Sequence, residues 1–457
     1  MSNTNRSVAI IGAGQTGVSA AVGFLNAGFD VTVYSERDQR SLLHDVSATG
    51  TAVTFGLSQQ SETALGVDNF AGRAPQVTGI SARTITGSGH DYTELLDFDA
   101  EFPGFEAIGV DTRLKVDERL TLFLEKGGRF VVENVDPGRL DSIAAENDLT
   151  FVATGKAGLS SLFTVDESRS PYKSPQRSVL LLTVAGLGHD PDVFAHRSPA
   201  GPKHQAFNFA DQGEGWWGPY LHKDAGPSWS FLGWAQPGSE WERRFQSVTD
   251  AHSAHKVVID LHREYFDWDL PEVLSTQVIE EDPHSWLQGA VTPTVRNALG
   301  HTASGHRVVA LGDTAVAYDP ITGQGAQSGF IQAAQFVAAA KDHEGEFDDA
   351  WITATYNNFL TSRVDAANLA TRIFLRDPVF QEYAAVLFPA AATNPKFGSA
   401  LFGLLSDPSP VLSINSVDDA KSLITQVTGE DADSILAKFE PAGRFSRSTY
   451  RSLTPVG

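Results

Sequence analysis

The chain has 457 residues, 41% hydrophobic and 20% charged, which suits two or three globular domains and rules out a disordered or fibrous protein. Its 34 Lys and Arg against 56 Asp and Glu give a formal charge of -22, a field that repels nucleic acid and anionic membranes. With no Cys in the chain, disulfides, thiolate metal sites and cysteine nucleophiles are excluded.

Val8-Ala9-Ile10-Ile11 reads as a buried strand running into the turn Gly12-Ala13-Gly14-Gln15-Thr16-Gly17. A helix is predicted from about Thr16 to Ala27, apolar along Val18, Ala21, Val22 and Leu25 and ended by Gly28. Val31 to Ser35 is the next strand, and Glu36 closes the unit. Residues 37–110, rich in Thr, Ser and Gly, read as short strands in a long excursion. Arg113 to Gly128 reads as an amphipathic helix, Phe130 to Val135 as a strand, and Asp148 to Gly155 as a strand ending in a glycine turn. Val179 to Val184 is a buried strand of a second, sheet-rich domain that holds seven of the eight Trp. Ser247 to Phe266 is predicted helical. Arg307 to Asp313 is another strand, followed by a helix from about Gly325 to Ala340. The remainder is helical and interrupted by prolines. No run is apolar enough for a membrane span. No leader peptide precedes the glycine turn, so a cytoplasmic location is expected.

The first glycine turn carries chemistry. Gly12 permits the bend, Gly14 lets backbone approach a pyrophosphate, and Gly17 lets the helix pack on the strand with its positive end toward the phosphates. Glu36, 19 residues beyond Gly17, stands where an acid accepts hydrogen bonds from a ribose diol. The pattern specifies a dinucleotide without saying which. A second constellation runs from Gly312-Asp313 through Asp319-Pro320 to Gly323-Gln324-Gly325-Ala326. Asp313 at a strand end can accept from a polyol hydroxyl, Pro320 fixes a bend, and the glycines bare N–H groups at a helix start. His252, His255 and His262 complete no liganding pattern, so they are expected to face solvent and no metal is expected. No Ser/His/Asp order suggests a triad.

The two constellations together resemble the FAD-binding fold of the glutathione-reductase type used by aromatic hydroxylases. Pro293-Thr294-Val295-Arg296, Ala310-Leu311-Gly312-Asp313, Asp319-Pro320 and Gly323-Gln324-Gly325-Ala326 are similar to the corresponding run of styrene and indole monooxygenases. Asp111-Thr112-Arg113-Leu114, Ala153-Thr154-Gly155-Lys156 and Ser174-Pro175-Gln176-Arg177 resemble that family in the same order. The likeness covers about residues 6–340. It implies an α/β chain, with a discontinuous Rossmann-like FAD domain over 1–174 and 291–345, a sheet-rich substrate domain over 175–290 and a helical region over 346–457. FAD would be held by Gly12, Gly14, Gln15, Thr16, Gly17, Glu36, Arg113, Val135, Ala153, Thr154, Gly155, Gly312, Asp313, Pro320 and Gly323 to Ala326. Arg113 would reach the pyrophosphate. Val46, Ser47 and Ala48 would lie along the flavin edge by the substrate. This stretch lacks the asparagine characteristic of styrene epoxidases, and its serine is nearer to the indole branch.

The chain has no second G-x-G-x-x-G opening a helix after a strand and no Asp-Gly dipeptide. A dedicated NADPH domain and the Asp-Gly element of single-component hydroxylases are therefore missing. The resemblance implies a two-component monooxygenase that receives reduced FAD from a separate NAD(P)H-dependent flavin reductase. With O2 it would epoxidise an apolar aromatic alkene or indole, or sulfoxidise a thioether, through a flavin C4a-hydroperoxide. Backbone near Pro293 and Gly323 to Ala326 would hold that species, and no catalytic side chain is assigned. The family leads one to expect a homodimer. The alternatives are an FAD-dependent reductase or dehydrogenase on the same fold, or a non-enzymatic flavin-binding protein.

Overall fold

The computed structural model describes residues 6–49, 53–88, 91–155, 158–441 and 443–446. Its first sheet has six strands, in the order Leu299–His301, Arg307–Ala310, Leu149–Val152, Ser7–Ile11, Asp30–Ser35 and Arg129–Val132. The inner strands pair in parallel, Ile10 lying between Val33 and Phe151. Both faces of such a sheet are covered, so its strands are continuous apolar runs. Val8, Ala9 and Ile10 are fully buried. The helices Gln15–Asn26 and Gln324–Lys341 contribute Val18, Val22, Ala333 and Phe336 to the core around this sheet.

The second sheet runs Gln277–Val278, Ser178–Ala185, Gly226–Ala235, Gly213–His222, His204–Ala210, Gly79–Ser88, Asp91–Glu101 and Gly443–Ser446, with Trp286–Ala290 also paired to Ser178–Ala185. The long hairpin Gly79–Glu101 corrects the sequence division. Residues 37–110 were read as short strands in a long excursion out of the first domain, whereas the strands of this hairpin run to ten and eleven residues and the first pairs in parallel with His204–Ala210. Its outer strand edge is satisfied there, which the local sequence does not announce.

Strand alternation sorts the aromatic residues between two cores. Trp217, Trp229 and Phe231 pack under the helices Glu240–Gln246 and Ala251–Glu264. Trp216, Trp234 and Phe207 face the opposite side, toward Phe374, Phe388 and Phe402 of the C-terminal helices. His262 does not face solvent as expected. It is fully buried, takes a hydrogen bond from Trp217 Nε1 at 3.0 Å and is bonded through Nδ1 to the Val258 carbonyl at 2.7 Å. Burial pushes its pKa down, in keeping with a neutral ring. His252 is exposed, and His255 is half-buried against Thr276 Oγ1 at 2.7 Å. Among the described residues no helix is long and apolar enough to cross a membrane.

Candidate functional site

A cavity of about 1020 Å³ opens along the C-terminal ends of the parallel strands and continues onto the inner face of the second sheet. This is where open α/β sheets hold their ligands.

At the first glycine turn, Gly12 has φ +115°, and a Cβ on it would stand 2.4 Å from the Ala153 carbonyl oxygen. Its N–H donates to the Tyr34 carbonyl at 2.8 Å. A Cβ on Gly17 would meet Gly12 O at 2.2 Å, so helix and turn touch through bare backbone. Gly14 is different. It has ordinary extended dihedrals, caps the helix Gln15–Asn26 without a side-chain bond, and has nothing within 4 Å of where a Cβ would be. That open space above uncapped helix N–H groups fits a pyrophosphate.

Gly12, Gly14, Gln15, Thr16, Gly17, Glu36, Val135, Ala153, Thr154 and Gly155 all line the cavity. Lys156 lies outside the described residues. Exposed Glu36 pairs with Arg37 at the far end, where Glu133 and Asn134 also line the space. Gly155 exchanges hydrogen bonds with Thr314, its N–H donating to Oγ1 at 3.0 Å and its carbonyl accepting at 3.0 Å. This joins the third strand's turn to the second constellation.

Gly312, exposed Asp313, Pro320, Gly323, Gly325 and Ala326 line the same cavity. Asp319 caps the Pro320–Thr322 turn through the Ile321 N–H at 3.1 Å, and Gly323 at φ +64° turns the chain into the helix Gln324–Lys341. The Gln324 side chain does not reach the cavity. It is buried, donates to the Thr322 and Leu405 carbonyls at 3.1 Å and accepts from Arg363. Arg363, which sequence reasoning missed, lies in a one-turn π-helical segment behind this helix start. Its guanidinium also donates to the Ser406 carbonyl at 2.8 Å, and burial lowers its pKa to about 10. Cation and helix dipole together make this end of the cavity positive.

Arg113 lines the cavity, yet its donors are spent elsewhere. They go to both oxygens of Asp111, both oxygens of Asp282 and the Val46 carbonyl. Those acceptors use every N–H of a guanidinium, so the expected pyrophosphate contact is not the role this geometry allows. Val46 and Ser47 reach the cavity. Ala48 is buried beside them, and neither it nor Pro293 lines the cavity, whereas Val291 does.

The wall built by the second sheet includes Val179, Leu181, Phe207, Trp216, Leu232 and Trp234. The Trp-rich region supplies both sheet core and cavity wall. Which tryptophan does which follows from alternation and register, legible only once the strands are paired.

Among the described residues, one group has the spacing of a metal site: His222, Asp224 and Asp282. It is already filled by protein. His222 Nε2 meets Asp282 at 2.9 Å, and its Nδ1 accepts from the Asp224 and Ala225 N–H groups. Arg113 and Lys223 neutralise the carboxylates.

Residues 155–271 match the family model for the styrene monooxygenase A putative substrate binding domain. Styrene monooxygenase StyA of Pseudomonas fluorescens is 25% identical over 337 residues, covering 70% of this chain and 73% of the relative. The StyA of a Pseudomonas species is 26% identical over 341 residues with the same coverage. The chain is thus similar to styrene monooxygenases over 70% of its length. Among solved structures, flavin-dependent brominase Bmp2 superposes with a TM-score of 0.60 at 14% identity, covering 88% of this chain and 94% of that one. The tetrameric form of 2-methyl-3-hydroxypyridine-5-carboxylic acid oxygenase gives 0.54 at 15% identity, over 93% and 98%. At these identities the structures speak for the fold alone. The styrene monooxygenase relatives support a flavoprotein monooxygenase, and the solved structures a fold with a Rossmann-like nucleotide domain, a substrate domain and a helical C-terminal part.

Proposed function

We propose that the protein is the oxygenase of a two-component system, taking reduced FAD from a separate flavin reductase and transferring one oxygen atom of O2 to an apolar aromatic alkene, indole or thioether. The observation that carries this reading is that both glycine constellations face one cavity, and that cavity continues into an apolar wall belonging to the family's substrate-binding domain. Bound reduced FAD supplies the two electrons for the other oxygen atom, which leaves as water.

The chain's own residues bind, orient and exclude water. Gly12 to Gly17 and Glu36 hold the dinucleotide at phosphate and ribose, and Asp313 takes the polyol. The start of the helix Gln324–Lys341, backed by Arg363, stabilises negative charge on the ring. Val46 and Ser47 close one edge, and Leu181, Trp216 and Leu232 keep the reacting face dry. No acidic or basic side chain is needed for electrophilic oxygen transfer, so none is assigned.

The test is direct. Chemically reduced FAD, air and styrene or indole, added to purified protein, should yield epoxide or indigo. NADH alone should leave bound oxidised FAD coloured. Rapid bleaching by NADH would instead indicate a dehydrogenase that accepts the pyridine nucleotide itself.

A further inference from the structure

Five apolar side chains of the cavity wall stand in one row across the second sheet. Leu287 pairs with Leu181, Leu181 with Leu232, Leu232 with Trp216 and Trp216 with Phe207, and each of them lines the cavity. Neighbouring strands lie about 4.8 Å apart, so the row runs roughly 19 Å. A one-ring alkene covers only part of that length, and a fused two-ring aromatic covers more of it.

The bulkiest member of the row is seated on a glycine. Trp216 and Gly218 are two apart on the strand Gly213–His222 and therefore share a face. A Cβ on Gly218 would stand 2.2 Å from Trp216 Cζ2 and 2.3 Å from Cη2, so the indole already fills the place of a side chain at 218. Gly218 has no positive φ, so its backbone would accept any L-residue and only the indole calls for glycine. Glycine weakens a strand interior, and its presence here is explained by the room that the ring needs. Trp216 Nε1 also donates to Gln205 Oε1 at 3.1 Å, which holds the ring in its seat. Leu232 and Phe207 flank it on the neighbouring strands, so a ring pushed off Gly218 has the cavity to move into.

We propose that Gly218 is a specificity-determining residue. By seating Trp216 against the sheet it leaves the apolar row open along its length, so that fused two-ring aromatics lying across the strands are preferred to single-ring ones. The inference rests on the monooxygenase reading for the word substrate alone, because the selection is a property of binding.

Styrene and 2-vinylnaphthalene are the probes. They carry the same vinyl group and differ by one fused ring, and calorimetric titration into the whole chain with oxidised FAD gives both dissociation constants. The wild type should hold 2-vinylnaphthalene about tenfold more tightly, through the apolar area of its second ring. A wild-type preference for styrene would overturn the proposal. In Gly218→Ala the displaced indole should bring the ratio to about one while styrene affinity is retained. A ratio within about twofold of wild type, or an equal loss for both ligands, would overturn it. Taking the ring away as well, by Trp216→Leu in the Gly218→Ala background, should restore the preference for two rings. An unrestored ratio would assign the loss to a damaged sheet and would equally overturn it. Should the wild-type protein oxygenate neither ligand with reduced FAD, the proposed function would fall while the affinity ratio still judged Gly218.

Discussion

Arg113 and Asp282, 169 residues apart in sequence, meet at 2.6 Å in the protein interior. The guanidinium belongs to the helix Thr112–Glu125 beside the nucleotide turn, and the carboxylate precedes the strand Trp286–Ala290 of the second sheet. The same guanidinium bonds Asp111 at 2.8 Å and the Val46 carbonyl at 3.2 Å. One buried cation thus ties together the glycine-turn side, the Val46 loop and the second sheet. Burial pushes the Asp282 carboxyl up, but hydrogen bonds from His222 and Arg113 outweigh it and hold the pKa far below the usual carboxylate range.

Removing the cation in Arg113→Met leaves two buried carboxylates with their largest compensation gone. We expect a loss of about 3–5 kcal/mol in urea unfolding. Arg113→Lys should recover only part, because an ammonium cannot engage Asp111, Asp282 and Val46 in one plane. A variant of unchanged stability and much weakened FAD affinity would return Arg113 to the pyrophosphate.

The first turn offers a paired test. In Gly17→Ala the new Cβ collides with the Gly12 carbonyl, so stability should fall by about 1–3 kcal/mol. Gly14→Ala meets no protein atom within 4 Å, so its melting temperature should stay near wild type. Its methyl would occupy the space assigned to the pyrophosphate, and FAD affinity, read by fluorescence titration, should drop roughly tenfold or more, about 1.4 kcal/mol per factor of ten. Undiminished FAD binding by Gly14→Ala would contradict the assignment of that space.

Leu232 is 6% exposed on the cavity wall. Leu232→Asn should admit water to the reacting face. Product per reduced FAD consumed should then fall several-fold, with a matching rise in hydrogen peroxide measured by a peroxidase-coupled assay. Unchanged coupling would mean that this wall does not keep the reaction dry.

The turn at His196 and the segment Asp267–Ser275 share a pH-dependent tie. Burial pulls the His196 pKa down, but hydrogen bonds to Asp269 and Glu272 outweigh it and raise it to about 9, against about 6.5 in an unfolded chain. A raised folded pKa means that the folded state holds the proton more tightly. The contribution is therefore complete below about pH 6.5 and is lost as pH rises through about 9. His196→Gln should remove that slope, so wild type and variant should converge in unfolding free energy at alkaline pH. Parallel curves over the whole range would sink the assignment.

Much of the nucleotide half was legible because its determinants are local. The apolar run Val8 to Ile11, the spacing of Gly12, Gly14 and Gly17, and Glu36 lie within one βαβ unit, where backbone geometry leaves few solutions. The second glycine constellation was legible for the same reason. Gln324 was not separable from its neighbours, because its side chain answers to Arg363 and Leu405, which lie well beyond it in the chain. The partners of Arg113 were not legible, because a helix-leading arginine looks the same in sequence whether it meets a phosphate or an aspartate from another sheet.

Read alone, the sequence determined the Rossmann-like unit, its taste for a dinucleotide, and the family likeness that suggests flavin, since short-range sterics and bare backbone donors suffice for those. Tertiary structure alone decided that the hairpin Gly79–Glu101 extends the substrate sheet and that Trp216 faces the cavity while Trp217 turns away. Those outcomes depend on strand register, which pairs residues more than a hundred positions apart and cannot be read from either strand by itself.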